Sequence, residues 1–186
     1  MRSAVKMISV LTIIGFISGA VLVLVYTYAN PIIAKNRKKE MEKAIFRIFP
    51  EGKTYDKRTF GKDTVFNVKD KKGSLLGYAF LAKGNGYQGA IEIMAGIKSD
   101  LKTLAGIEIL ESQETPGLGQ EIASDKFGSQ FKGLEVAPEI IYVKNVEPSK
   151  PNEIQAITGA TISSRAVVTI LNEKIEVIKK DLGKLK

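Results

Sequence analysis

From Met7 to Ala34 the chain carries no charged side chain, and Ile, Val, Leu, Phe and Ala dominate the run. A bilayer core takes roughly 20 such residues at helical rise, so this segment spans with length to spare. It exceeds the roughly 7–15-residue apolar stretch of a secretory leader, and Tyr26 to Asn30 offers no convincing small-x-small cleavage site. The expectation is one uncleaved transmembrane helix. Past Pro31, Met41, Ala44, Ile45, Ile48 and Phe49 recur at helical spacing, which extends the helix as an amphipathic segment that stops at Pro50. The pattern then changes to short apolar runs bounded by turn residues. These predict strands at Thr64–Val68, Leu75–Ala82, Ala90–Ile97 and Leu104–Leu110, with Asp70-Lys71-Lys72-Gly73 as a hairpin turn. A short helix near Gln120–Phe127, a strand around Ile140–Val146 and the run Glu153–Ile157 follow. From Ser163 or Ser164 onward, Ala166, Val167, Ile170, Leu171, Ile175 and Ile178 fall on one helical face, with Ser163 as a suitable N-cap. A run of strands with helices gathered at its ends predicts an α+β fold, an antiparallel sheet carrying packed helices. The division expected is an anchor at 1–34, an amphipathic helical connector at 35–50 and one domain at 51–186.

Charge narrows the function classes. Twenty-eight Lys and Arg stand against 20 Asp and Glu. The basic runs at Lys35–Lys43 and Lys174–Lys186 lack interleaved aromatics and lie on helical patterns, so no nucleic-acid surface is expected. Cysteine is absent, which excludes disulfides, thiolate catalysis and iron–sulfur ligation within this chain. Histidine is absent too, and with it the commonest general base and metal ligand. No carboxylate constellation at ligand spacing stands out, so neither a metal site nor a catalytic acid–base group is assigned. Gly15, Ser18 and Gly19 present small side chains to which another membrane helix can approach, although such residues are common in membrane spans anyway. Arg2 and Lys6 precede the span while Lys35, Arg37, Lys38, Lys39 and Lys43 follow it, so the positive-inside count puts the C-terminal domain in the cytoplasm. The same collar suits anionic lipid headgroups or an acidic neighbour.

Three strings carry the candidate chemistry. Thr158-Gly159-Ala160-Thr161-Ile162-Ser163-Ser164 places a threonine in a small-residue turn just before a helix, where free first-turn amides suit a phosphate. Glu114-Thr115-Pro116-Gly117-Leu118-Gly119 is a rigid turn that leaves Leu118 as an apolar knob beside which a flat ring can lie. Gly84-Asn85-Gly86-Tyr87-Gln88-Gly89 supplies three glycines and one aromatic before a strand. Taken one at a time, each also reads as a plain turn that binds nothing. The last is no nicotinamide fingerprint, because a strand follows where that motif needs a helix.

In this order, and on a chain of this size, the strings resemble the FMN-binding domain shared by the G subunit of the Rnf electron-transport complex and the C subunit of the sodium-pumping NADH:quinone reductase. The resemblance runs from the membrane segment to the C-terminal helix, and the short chain leans towards the Rnf type. It implies that 51–186 is an FMN-binding domain and that FMN is joined by a phosphoester to Thr161, the last residue of a Ser/Thr-Gly-Ala-Thr motif, by a separate flavin transferase. Thr158 stands where many relatives have serine. The resemblance further implies that Glu114, Thr115, Gly117, Leu118 and Gly119 lie against the ring and that Tyr87 belongs to the same site. Thr158, Gly159, Ala160, Ser163 and Ser164 surround the attachment point. It implies an electron-transfer subunit of a ferredoxin:NAD oxidoreductase coupled to ion translocation, an enzyme as a complex, with other membrane and peripheral subunits and membrane lipid as partners. It places the domain outside the inner (cytoplasmic) membrane on a single-pass anchor, against the charge count. A C-type subunit of the quinone reductase, or a non-redox binding or scaffold subunit, stays open as an alternative.

Overall fold

The computed structural model describes residues 2–60 and 63–183, so the end of the Lys174–Lys186 run lies outside the described residues. The chain divides into two compact units, one ending at Glu40 and one beginning at Met41. Helix α1, Arg2–Ile48, contributes to both and continues through Pro31. Its first part is long and apolar enough to cross a membrane, with a mean hydropathy of 2.7 in its most apolar window. The apolar side chains there do not pack against the chain itself, Phe16 being 80% and Leu22 70% exposed, which fits a membrane anchor.

The second unit is built on a five-stranded antiparallel sheet in sequence order: β1 Thr54–Phe60, β2 Asp63–Lys69, β3 Leu75–Asn85, β4 Ala90–Lys98 and β5 Leu104–Ser112. Successive hairpins alternate between the two ends of such a meander. The β2–β3 and β4–β5 turns therefore share one end, and the β3–β4 turn shares the other with the exit of β5. After β5 come a 3-10 turn at Gly119–Ala123, the short helix α2 at Asp125–Ser129, a parallel pair of β6 Ile141–Val143 with β7 Glu153–Gln155, and helix α3 at Thr161–Gly183. The α+β architecture is the one expected from the pattern.

Side-chain alternation splits the core in two. One face of the sheet, with Val65, Phe80, Ile91 and Ile93, packs under Val167, Leu171, Ile175 and Ile178 of α3. The other, with Val68, Ala79 and Met94, packs under Ala44, Ile45, Ile48 and Phe49 at the end of α1. Gly96 admits that helix: a Cβ there would stand 2.4 Å from Ile48 Cγ2 and 2.6 Å from Phe49 Cε2. Each buried large apolar side chain is worth roughly 2 kcal/mol, so the α3 stripe outweighs the few tenths per residue that its β-branched valines and isoleucines cost in helix propensity. Trimming Leu171, which is fully buried, to alanine removes about 2–5 kcal/mol of that support.

Four local expectations need correction. Strand β1 was not anticipated, because Tyr55-Asp56-Lys57-Arg58-Thr59 is an edge with mostly exposed, charged positions and no apolar alternation. The helix expected near Gln120–Phe127 is broken at Ser124, whose ψ of 147° is extended and whose side chain caps α2 by accepting from Phe127 N–H. The strand expected at Ile140–Val146 holds only Ile141–Val143, and Asn145 turns it aside with φ of 54°. Helix α3 begins at Thr161, not at Ser163 or Ser164, for a reason found in the site.

Candidate functional site

The three motif strings, far apart in sequence, meet at one corner of the sheet. Thr115-Pro116-Gly117-Leu118 closes with Leu118 N–H donating to Thr115 C=O at 3.2 Å, and Ile157-Thr158-Gly159-Ala160 closes with Ala160 N–H donating to Ile157 C=O at 3.0 Å. Each turn has glycine at its third position with positive φ, 73° at Gly117 and 84° at Gly159, a conformation a Cβ would penalise. The third string is the β3–β4 hairpin, closed by Gly86 N–H donating to Gly89 C=O at 2.7 Å.

Glu114 joins them. It is 5% exposed, and its Oε1 accepts from the N–H groups of Tyr87 at 2.6 Å and Gln88 at 3.1 Å. Its Oε2 accepts from the Ser163 hydroxyl at 2.7 Å. Two glycines make room for this carboxylate: a Cβ on Gly86 would lie 2.1 Å from Oε1, and one on Gly119 would lie 2.6 Å from Oε2. The Thr115 hydroxyl adds a second link to the hairpin, donating to Gln88 Oε1 at 2.6 Å.

Ser163 therefore serves as a donor to a carboxylate 49 residues away and sits inside the first turn of α3, so it is not the N-cap. Ala160 holds that place, its C=O accepting from Ser164 N–H at 3.0 Å. Ser164 is fully buried; its hydroxyl donates to Ala160 C=O and accepts from Ile157 N–H, each at 3.0 Å, which fastens the turn to the helix. Since alanine has no capping side chain, the N–H groups of Thr161, Ile162 and Ser163 find no acceptor among the described residues. Aligned amides of this kind carry a partial positive charge.

A cavity of about 320 Å³ opens between the turns, within the size range of small-molecule sites. Tyr87, Glu114, Thr115, Leu118, Gly119, Gly159, Ala160, Thr161 and Ser163 line it, together with Ile162, which the sequence did not single out. Of the other expected residues, Gly117 shapes the Leu118 turn, Ser164 lies beneath the floor, and Thr158 is exposed on the far side of its turn, lining a neighbouring hollow with Lys126 and Gln130. Ile162 was legible as an apolar residue off the α3 stripe, and it is 47% exposed. With Tyr87 at 67% and Leu118 at 51% it forms an apolar rim. Across Gly84–Ile91, Ser112–Gln120 and Ile154–Ser164 the only charged residue is the buried Glu114. Among the described residues no group of histidine, cysteine or carboxylate side chains could hold a metal ion.

The features fit FMN: acceptor-free amides for a phosphate, a hydroxyl beside them, and an uncharged apolar rim for a flat ring. Comparison with known proteins points the same way. Residues 86–176 match the FMN-binding domain. The chain is 30% identical over 98% of its length to the G subunit of the ion-translocating oxidoreductase complex of Methanosarcina acetivorans, and covers 98% of that protein. It is 32% identical over 89% of its length to the G subunit of the proton-translocating ferredoxin:NAD(+) oxidoreductase complex of Clostridium ljungdahlii, covering 86% of it. Among solved structures, the C subunit of the Na(+)-translocating NADH-quinone reductase from Parabacteroides distasonis is similar with a TM-score of 0.53 and 28% identity; 60% of this chain matches 58% of that one. A likeness that extends almost end to end over the first relative, anchor included, shows that the chain belongs to the family of G subunits of ion-translocating oxidoreductase complexes.

Proposed function

We propose that this chain is the membrane-anchored electron-transfer subunit of an Rnf-type ferredoxin:NAD oxidoreductase coupled to ion translocation, and that it carries FMN through a phosphoester on Thr161. One observation carries the attachment site. Of the three aliphatic hydroxyls lining the cavity, those of Thr115 and Ser163 already donate to protein oxygens, while Thr161 has no acceptor among the described residues and stands first in α3. The amides of the first helical turn would hold the phosphate, and the Leu118 and Tyr87 side chains would flank the ring. Bound FMN supplies the redox chemistry, taking up and releasing one or two electrons. The protein supplies position: two glycine turns keep side chains out of the way, and the uncharged rim favours a ring over an ionic ligand.

The Rnf type is favoured over a C-type member of the quinone reductase, because the relatives matched nearly end to end, at 30% and 32% identity, are G subunits. The other subunits of such a complex would be the electron donor and acceptor, a flavin transferase would form the ester, and lipid would surround the anchor. We place the domain on the extracytoplasmic side, where a tether prevents loss of a cofactor that the surroundings do not replace.

Denatured protein matured beside its transferase should gain the mass of FMN less one water, on the peptide containing Thr161. Thr161→Ala should leave a folded, colourless protein. An unmodified wild-type chain, or a flavin that maps to another residue, would overturn the assignment.

A further inference from the structure

We infer that Glu114 is the positioning residue that assembles the flavin site before the flavin arrives. The inference rests on the proposed function only for what the site holds; the assembly itself is read from the protein. A carboxylate is an acceptor without donors of its own, and both oxygens of this one are engaged by protein donors from the β3–β4 hairpin and the first turn of α3. Those donors are 26 and 27 residues before it and 49 residues after it, so no local turn preference brings them together. Without the side chain, two backbone N–H groups and a buried hydroxyl lose their acceptor at once, and the tip of the hairpin bearing Tyr87 loses its hydrogen-bonded link to the first turn of the helix bearing Thr161, keeping only the Thr115–Gln88 bond and the packing of its strands. Glu114 also occupies the Ser163 hydroxyl, which leaves Thr161 as the hydroxyl presented to the cavity. It thus acts through Tyr87, Gln88 and Ser163 rather than by bonding the flavin.

The test uses the full-length chain in detergent, matured with and without the transferase. Glu114→Ala should slow covalent flavin incorporation about tenfold or more, and in the flavin-free protein the Tyr87 and Gln88 amides should exchange with solvent about tenfold faster while those of β4 keep their protection. Glu114→Gln should restore incorporation to within about threefold, because the amide oxygen still accepts from the hairpin and the Ser163 hydroxyl can turn to accept from the amide NH₂. Wild-type incorporation in Glu114→Ala would overturn the inference. So would a Gln variant as slow as the Ala variant, since the effect would then lie in charge and not in hydrogen bonding. Should Glu114→Ala not fold, Ser163→Ala decides: slower incorporation with an intact β4 supports the role, and an unchanged rate overturns it. A wild-type chain that takes up no flavin would overturn the proposed function instead, and the exchange measurement on flavin-free protein would still judge Glu114.

Discussion

The two ends of the sheet use carboxylates in opposite ways. At the end formed by the β2–β3 and β4–β5 turns, Asp70 Oδ1 accepts from the N–H groups of Lys72 and Ser74, and Asp100 Oδ1 accepts from those of Lys102 and Thr103, partners no more than four residues away. Both aspartates are exposed or half-buried and serve their own turns. At the other end Glu114 is buried and serves strangers, joining a hairpin to a helix through partners 26 to 49 residues distant. A local acceptor stabilises a turn that would exist in some form without it. A non-local one ties together segments that the β4–β5 ladder and the Thr115–Gln88 bond bring near one another, and the candidate cavity lies where it does so.

Paired glycine substitutions give the largest contrast. Gly119→Ala drives a methyl group to 2.6 Å from Glu114 Oε2 and 2.8 Å from Ser163 Oγ, and should cost about 3 kcal/mol in urea unfolding and abolish flavin loading. At the opposite end Gly73→Ala meets open space and only the penalty of its φ of 82°, so it should cost about 1 kcal/mol and leave loading untouched. Equal losses of loading in the two variants would erase the distinction between the ends.

Acid gives the smallest effect. Burial tends to raise the Asp100 pKa, but the N–H groups of Lys102 and Thr103, the Thr103 hydroxyl and the neighbouring Lys98 outweigh it and hold the carboxyl below its ordinary value. A depressed folded pKa means that the stabilisation is complete above the usual carboxylate range and disappears as the pH falls through the folded value. Asp100→Asn should flatten the acid limb of stability by less than about 1 kcal/mol, since the group is largely exposed, with no change in flavin loading at any pH. A steeper acid limb in the variant would refute this reading.

The same contrast explains what was legible in the sequence. Strands β2 to β5 announce themselves because Val65, Phe80, Ile91, Ile93 and their neighbours are buried in register, and Asp70 to Gly73 spells its own turn. Thr161 and the glycine turns are local strings and were visible as such. What stayed hidden was relational. Ser163 resembles an N-cap in any window of ten residues, and only the folded chain shows its hydroxyl spent on Glu114. Glu114 itself reads from the sequence as a group available to a ligand, yet both its oxygens are taken by protein donors. Strand β1 escaped because its partner β2 supplies the order that its charged, exposed residues do not encode.

Helix α3 starts at Thr161, the residue proposed to bear the flavin, and packs along its length through Val167, Leu171, Ile175, Ile178 and Leu182 against the sheet. A prosthetic group tethered to its first residue would hang from a helix packed along its length on the sheet and not from a loop. Whatever swing the ring kept would then belong to the ribityl chain alone, and the length of the electron's jump to the next carrier would be set by that short leash.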